Sequence, residues 1–261
     1  VTFVKPGDKV IMHWKKSNGF EAQFPKYWCG DTKVGGGKVT TISEYSVVSE
    51  NRITVVDPDT PAELCALLGC GLSTALGTIN YEADLKFGES VLILGSGGLG
   101  LNLIQASKLA GAYPIVAYDK NNKSSLCKSL GVNEFYEDFD DICKRKFDVI
   151  IDTTGNAELI KNSLPLLDNK GRFIFVGQKK PNNSLEIVNS NHLFGNDGKI
   201  IKATQGGNIN PSSDLVRYAK LHKSGYINVN SIITHKFKLS EVNDAFETLK
   251  DGNAGRIIIE M

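Results

Sequence analysis

Four apolar residues, Val91-Leu92-Ile93-Leu94, run straight into Gly95-Ser96-Gly97-Gly98-Leu99-Gly100, and an amphipathic stretch follows to residue 110. Each glycine of this GxGxxG has its own physical job. Gly95 permits a sharp strand-to-helix turn, Gly97 leaves no Cβ in the path of an approaching ligand, and Gly100 lets the helix lie close on the strand. Gly98 and Leu99 open that helix, whose first N–H groups have no intrahelical partner and carry partial positive charge. Such a loop holds a diphosphate. A second apolar run, Ile115–Tyr118, ends in Asp119, about 20 residues beyond the glycines, where a carboxylate accepts hydrogen bonds from ribose hydroxyls. The same carboxylate repels a 2′-phosphate. No arginine stands beside it, although Lys120 and Lys123 are near, so the pattern predicts NAD in preference to NADP. The glycine loop alone leaves two other readings open: a turn with no ligand, and a site for S-adenosylmethionine.

The elements needed to position these groups are readable around them. Strands are expected at Val91–Leu94, Ile115–Tyr118, Val149–Asp152, Arg172–Val176 and Lys199–Ala203. Helices are expected between them at Gly98–Ala110, Lys123–Leu130 and Ala157–Leu164. Short runs that are apolar on both faces, alternating with helices, indicate a parallel sheet covered on both sides. Upstream, Ala62–Ile79 has helical spacing broken by Gly69 and Gly71, which predicts two helices. Residues 1–61 are rich in β-branched residues and turns. Pro6-Gly7-Asp8 reads as a turn, Lys9–His13 as a strand, Gly35–Gly37 as a loop and Thr40–Glu50 as a further strand, all within antiparallel β structure. The end of the chain reads as helix Asp214–Lys223, strand Ile232–Phe237, helix Ser240–Asp251 capped by Ser240, and strand Arg256–Ile259.

Composition sets the outer limits. The 261 residues suit two domains, and 41% hydrophobic with 23% charged residues is ordinary for a chain with a buried core. A formal net charge of +1 gives no reason to expect a nucleic-acid or membrane-surface partner. No apolar run approaches the roughly 18 residues of a membrane span, and no targeting core opens the chain, so a cytoplasmic location is the expectation. The five cysteines, Cys29, Cys65, Cys70, Cys127 and Cys143, are odd in number and show no CxxC pair, which points to reduced thiols.

The segment Leu68-Gly69-Cys70-Gly71-Leu72-Ser73-Thr74-Ala75-Leu76-Gly77, upstream of the glycine loop, resembles a signature of the zinc-containing alcohol dehydrogenases of the medium-chain dehydrogenase/reductase superfamily. Further points of resemblance are Val4-Lys5-Pro6-Gly7-Asp8-Lys9-Val10, the Asp152–Gly155 strand end, Val176-Gly177, Ile233-Thr234-His235 and Gly255-Arg256-Ile257-Ile258-Ile259. The resemblance implies an α/β fold: a Rossmann doubly wound parallel sheet over 62–204, plus an incomplete GroES-like β domain from 1–61 and a C-terminal return over 205–261. It implies an NAD-dependent oxidoreductase acting on an alcohol, polyol or sugar hydroxyl, or the matching carbonyl compound. Cys70 corresponds to one ligand of a catalytic zinc. Thr74, Thr153, Val176, Gly177 and Gln178 would line the nicotinamide half of the cofactor, and Arg256 would reach its diphosphate. Two copies would join through the edge strand 199–203.

A catalytic zinc needs three protein ligands and an open position. In the family the other ligands precede the turn that begins here at Val4, and the four-cysteine structural zinc loop is replaced by residues 15–30, where only Cys29 remains. His13, His192, His222 and His235 show no ligand spacing with Cys70. The expectation is a C-terminal portion of a longer dehydrogenase that binds NAD, lacks most catalytic zinc ligands, carries no catalytic residue of its own and is inactive alone. Two alternatives remain: a zinc-free quinone or enoyl reductase, which Cys70 and Asp119 disfavour, and a non-catalytic NAD-binding module.

Overall fold

A computed structural model describes residues 1–178, 184–186, 191–194 and 198–261. Its elements in chain order are β1 (Val10–Met12), β2 (Tyr27–Cys29), β3 (Thr32–Val34), β4 (Ile53–Val55), α1 (Ala62–Leu68), α2 (Gly71–Gly77), β5 (Val91–Leu94), α3 (Gly98–Leu109), β6 (Ile115–Tyr118), α4 (Ser124–Leu130), β7 (Glu134–Tyr136), β8 (Phe147–Asp152), α5 (Ala157–Ser163), β9 (Leu167–Phe175), α6 (Asn191–Phe194), β10 (Ile200–Ala203), α7 (Pro211–Lys223), β11 (Ile233–Lys238), α8 (Val242–Lys250) and β12 (Arg256–Glu260).

Six strands form one sheet in the order β10-β9-β8-β5-β6-β7, and every adjacent pair in it is parallel. This is the doubly wound α/β fold that the strand–helix alternation predicts. Alternate residues of each central strand feed opposite layers. Val91 and Ile93 of β5, Ile115 and Ala117 of β6, and Val149 and Ile151 of β8 pack with Leu101, Leu103 and Ile104 of α3. Leu92, Leu94, Val116 and Ile150 face the other layer, against Ile160, Leu164 and Phe173. The strand order reverses direction at β5, and there the crevice at the carboxyl ends of the strands opens for a ligand.

The remaining strands form three two-stranded sheets: antiparallel β1–β4, antiparallel β2–β3 and parallel β11–β12. Among the described residues no single helix is long and apolar enough to cross a membrane.

Four readings need correction. Thr40–Glu50 contains no strand; it runs as bends into a short 3-10 turn, Glu50–Arg52, and the strand follows at β4. Its polar groups bond outside any ladder: the Thr40 hydroxyl donates to the Gly36 carbonyl and the Val47 N–H to the Tyr27 hydroxyl. The Glu50 carboxylate meanwhile collects the N–H groups of Thr2, Phe3 and Phe20. Ser240 does not cap a helix. It lies inside a 3-10 turn, Leu239–Glu241, and the Glu241 carboxylate accepts the Lys238 N–H. The β2–β3 hairpin and β7 are absent from the sequence reading, because both are half-polar runs of three residues.

His13, at the end of β1, is 2% exposed. Its Nδ1 lies 2.7 Å from the Lys15 carbonyl oxygen, which can only accept, so Nδ1 carries the proton and Nε2 accepts the Thr54 hydroxyl at 3.0 Å. Burial holds the pKa of this imidazole below its ordinary 6.5, and Arg52 pushes the same way. Below pH 6.5 the unfolded chain therefore binds a proton that the folded chain refuses, so stability is lost as pH falls from 6.5 toward the folded value. Urea midpoints at pH 7.5 and 5.5 should show a smaller acid loss in His13→Gln than in the wild type. In the sheet, Leu92→Ala should cost about 3 kcal/mol, read from the same urea transitions.

Candidate functional site

The turn after β5 takes the shape that glycine allows. Gly95 has φ +91°, a left-handed backbone disfavoured for side chains, and a Cβ there would lie 2.5 Å from Thr153 Oγ1 and 2.8 Å from Thr154 Cγ2. A Cβ at Gly100 would collide with the Gly95 carbonyl oxygen, which explains how α3 approaches β5 so closely. Gly97 differs from both. It is extended, immediately precedes α3, and has nothing within 4 Å of where a Cβ would stand. The ledge in front of the helix N-terminus is open. Gly98 and Leu99 begin the helix at that ledge.

Asp119 follows β6 directly and points back into this loop. Its Oδ2 accepts the Ser96 N–H at 2.7 Å and its Oδ1 the Asn121 N–H at 3.0 Å. Lys123 is buried beside it: Nζ stands 3.8 Å from Asp119 Oδ2 and donates to the Ser96 carbonyl at 3.3 Å. A carboxylate and an ammonium thus hold the middle residue of the glycine loop from both sides.

The strand ends on the other side of β5 close the crevice. The Thr153 hydroxyl donates to the carbonyls of Leu94, at 2.9 Å, and Gly95, at 3.2 Å. Val176 and Gly177 both send their N–H groups to the Asp152 carbonyl at 2.9 Å. A Cβ at Gly177 would come within 2.5 Å of Gly155 N, so the loops after β8 and β9 touch there, and Gln178 beyond them is exposed. Asp152 itself is fully buried, and its carboxylate accepts from Thr154 N at 3.0 Å, Thr154 Oγ1 at 2.6 Å and Gly155 N at 3.0 Å. The motif around Asp152 signals a strand end; its work as the organiser of that turn is visible only in three dimensions.

Arg256 opens β12 and reaches the same place. A Cβ at Gly98 would stand 2.5 Å from its Nε, and one at Gly71 would overlap its guanidinium. Burial lowers the Arg256 pKa, the neighbouring Cys70 sulfur opposes that effect, and Nε is buried without a hydrogen-bond partner. Cys70 sits in the break between α1 and α2, its carbonyl accepting the Thr74 N–H at 2.9 Å and the Ser73 hydroxyl at 3.0 Å. Thr74 is buried in α2 with its carbonyl against Gly207.

Cys70, Gly71 and Arg256 line a cavity of about 670 Å³ together with Met12, Trp14, Val39 and the β12 isoleucines. Among the described residues no group of three or more His, Cys, Asp or Glu side chains is placed to hold a metal ion. The donor set around Cys70 does not fit a zinc. His13 is engaged with Lys15 and Thr54, His222 Nδ1 with the Ile227 carbonyl at 2.9 Å, and His235 stacks on Phe237. The side chain of His192 lies outside the described residues. Sequence reasoning missed Trp14, which walls the Cys70 cavity, and Lys15, Lys16, Lys38 and Arg52, which line a second cavity of about 620 Å³ on the same indole. The only local signal is Trp14-Lys15-Lys16 directly after β1.

Comparison with known proteins places this geometry. The S-(hydroxymethyl)glutathione dehydrogenase of Saccharomyces cerevisiae is 28% identical over an alignment that covers 100% of this chain and 77% of that protein. The fold superposes on benzyl alcohol dehydrogenase from Acinetobacter calcoaceticus with a TM-score of 0.76 at 24% identity, covering 82% of this chain and 61% of that one. It also superposes on a zinc-binding dehydrogenase from Sinorhizobium meliloti bound to NADP, with a TM-score of 0.71 at 21% identity, covering 84% and 65%. Residues 98–221, from the first turn of α3 through α7, match the family model described as zinc-binding dehydrogenase. Sequence kinship along the whole chain, the doubly wound sheet and this match point the same way: the chain is similar to the zinc-binding dehydrogenases.

Proposed function

We propose that the crevice at the carboxyl ends of β5, β6 and β8 binds NAD(H), and that the protein is an oxidoreductase acting on an alcohol or the corresponding carbonyl compound. The observation that carries this reading is the open ledge at Gly97 in front of α3. It lies between the Asp119 carboxylate, held on Ser96 N at 2.7 Å, and Arg256, whose buried Nε has no partner. A diphosphate fits such a cradle: Gly95, Gly97, Gly98, Leu99 and Gly100 shape it, the helix start supplies N–H groups, and the orphan guanidinium N–H supplies a charge-assisted donor. The acidic group at the end of β6 suits ribose hydroxyls and opposes a 2′-phosphate, which favours NAD. Thr153, Val176, Gly177 and Gln178, on the loops beyond β8 and β9, and Thr74 in α2 are assigned to the nicotinamide side.

Bound NAD⁺ would take a hydride from the alcohol carbon, leaving a carbonyl compound, NADH and a proton. The chain's own part is placement. The Gly95–Gly100 loop fixes the diphosphate, the β8 and β9 loops exclude water from one face of the crevice, and the cavity at Cys70 and Trp14 receives the alcohol. Residues 62–204 are assigned to the nucleotide-binding unit, with 1–61 and 205–261 forming the substrate side. The exposed edge of β10 is assigned as the contact between two copies.

Gly97→Val places a branched side chain in open space at an ordinary φ of −70°. It should leave the unfolding midpoint within about 0.5 kcal/mol of wild type and abolish NADH binding, measured as energy transfer from tryptophan to the nicotinamide. Retained binding would refute the ledge. Asp119→Ala should weaken NADH about tenfold or more, ~1.4 kcal/mol, and should narrow the preference for NADH over NADPH in the same titration.

A further inference from the structure

Helix α2, the π-helical turn Thr78–Glu82 that continues it, α3 and α7 meet around a cavity of about 260 Å³. It shares no lining residue with the cavities at Cys70 and Lys15. Leu76, Ile79 and Ala106 wall it and are at most 6% exposed. Asn80 and Arg217, both exposed, also line it. Small side chains make the room: α3 contributes Ala106, and Ala110 follows four residues on, over the same face. An apolar cavity of ~150 Å³ takes benzene, so this one has space for a ring and a short substituent.

One polar group on its wall is unspent. Tyr218 is 5% exposed, and its buried hydroxyl has no hydrogen-bond partner among the described residues. The groups around it are committed to one another. Asp214 Oδ1 takes the Tyr81 hydroxyl at 2.8 Å and the Arg217 guanidinium, and Oδ2 takes the Asn210 N–H at 2.9 Å. Arg217 also donates to the Tyr81 oxygen at 2.8 Å. Burial, then the Asp214 charge, push the Tyr218 pKa above its ordinary 10, so the phenol keeps its proton and is a donor. A buried donor without an acceptor is costly, and an acceptor brought by a ligand removes that cost. Arg217 is the only charged residue on the cavity wall, and Asp214 already meets its charge. Nothing there calls for an anion.

We propose that this cavity binds a small neutral molecule made of one apolar ring and one carbonyl-type acceptor. The ring lies against Leu76, Ile79 and Ala106, and the acceptor takes the Tyr218 proton. A carboxylate of the same shape would be stripped of water with no free cation to receive it. A hydrocarbon fills the space and leaves the hydroxyl unmet.

The test titrates the whole chain with methyl benzoate, benzoate and ethylbenzene, followed by NMR of labelled alanine methyl groups. None of the three is an alcohol or an aldehyde, so this site is read apart from the reaction proposed above. Methyl benzoate should shift the Ala106 and Ala110 methyl signals and bind at least tenfold tighter than benzoate. Tyr218→Phe should weaken methyl benzoate at least fivefold while ethylbenzene binds as before, which isolates the hydrogen bond from the space. The same variant should unfold at a urea concentration no lower than wild type, because an unmet hydroxyl has gone. Ala106→Leu should displace both neutral probes. The proposal is overturned if methyl benzoate does not bind, if benzoate binds as tightly, or if Tyr218→Phe leaves the ester unchanged or weakens ester and hydrocarbon alike. Should Ala106→Leu fail to fold, the Tyr218→Phe comparison decides alone.

Discussion

At Gly100 the first turn of α3 runs against the Gly95 carbonyl oxygen so closely that a single added carbon would collide. That approach sets the height of the helix N-terminus above the sheet, and the rest of the crevice is adjusted to it. The loop between the two glycines is then fastened from below: Asp119 takes the Ser96 N–H and Lys123 the Ser96 carbonyl. Thr153 fastens it from the β8 side through the Leu94 and Gly95 carbonyls. The backbone of the loop is over-determined, and only the outward ledge at Gly97 stays free. Preorganisation of this kind spares a ligand the entropic cost of ordering the loop on arrival.

Arg256 shows how the chain's end is used. It begins a strand of a separate two-stranded sheet, yet its guanidinium fills the space left by the missing Cβ atoms of Gly71 and Gly98. A glycine in the α1–α2 break and one in the first turn of α3 together make a slot that only a thin planar group can enter. The same slot brings Cys70, Trp14 and the β12 isoleucines to the edge of the crevice. The glycine loop after β5 and the apolar cavity are thereby joined by one residue.

Two charge arrangements in the molecule obey different rules. Asp119, Lys123 and Asp152 are spent on backbone groups and hold loops. The cations beside Trp14 outnumber their carboxylate and leave an N–H of Arg52 unused. Unsatisfied buried polar groups are costly within a protein.

Hydrophobic period, glycine spacing and strand-end acids determined the doubly wound sheet, the glycine loop and the position of Asp119, because each is a short-range relation: strand, turn, helix, strand. The strands β5 and β6 fall on their expected residues for that reason. Readings failed where the backbone found side-chain partners far along the chain. Thr40–Glu50 has strand-like composition but bonds through Tyr27 and its own turn, and Glu50 collects N–H groups from residues 2, 3 and 20. Ser240 had the right chemistry for a cap and lost the position to Glu241. Only the folded chain decided that Arg256 meets Gly98, that His13, His222 and His235 are engaged elsewhere, and that Lys15, Lys38 and Arg52 line one cavity with Trp14. Those meetings join residues far apart in the chain, and packing of whole elements, not local propensity, brings them together.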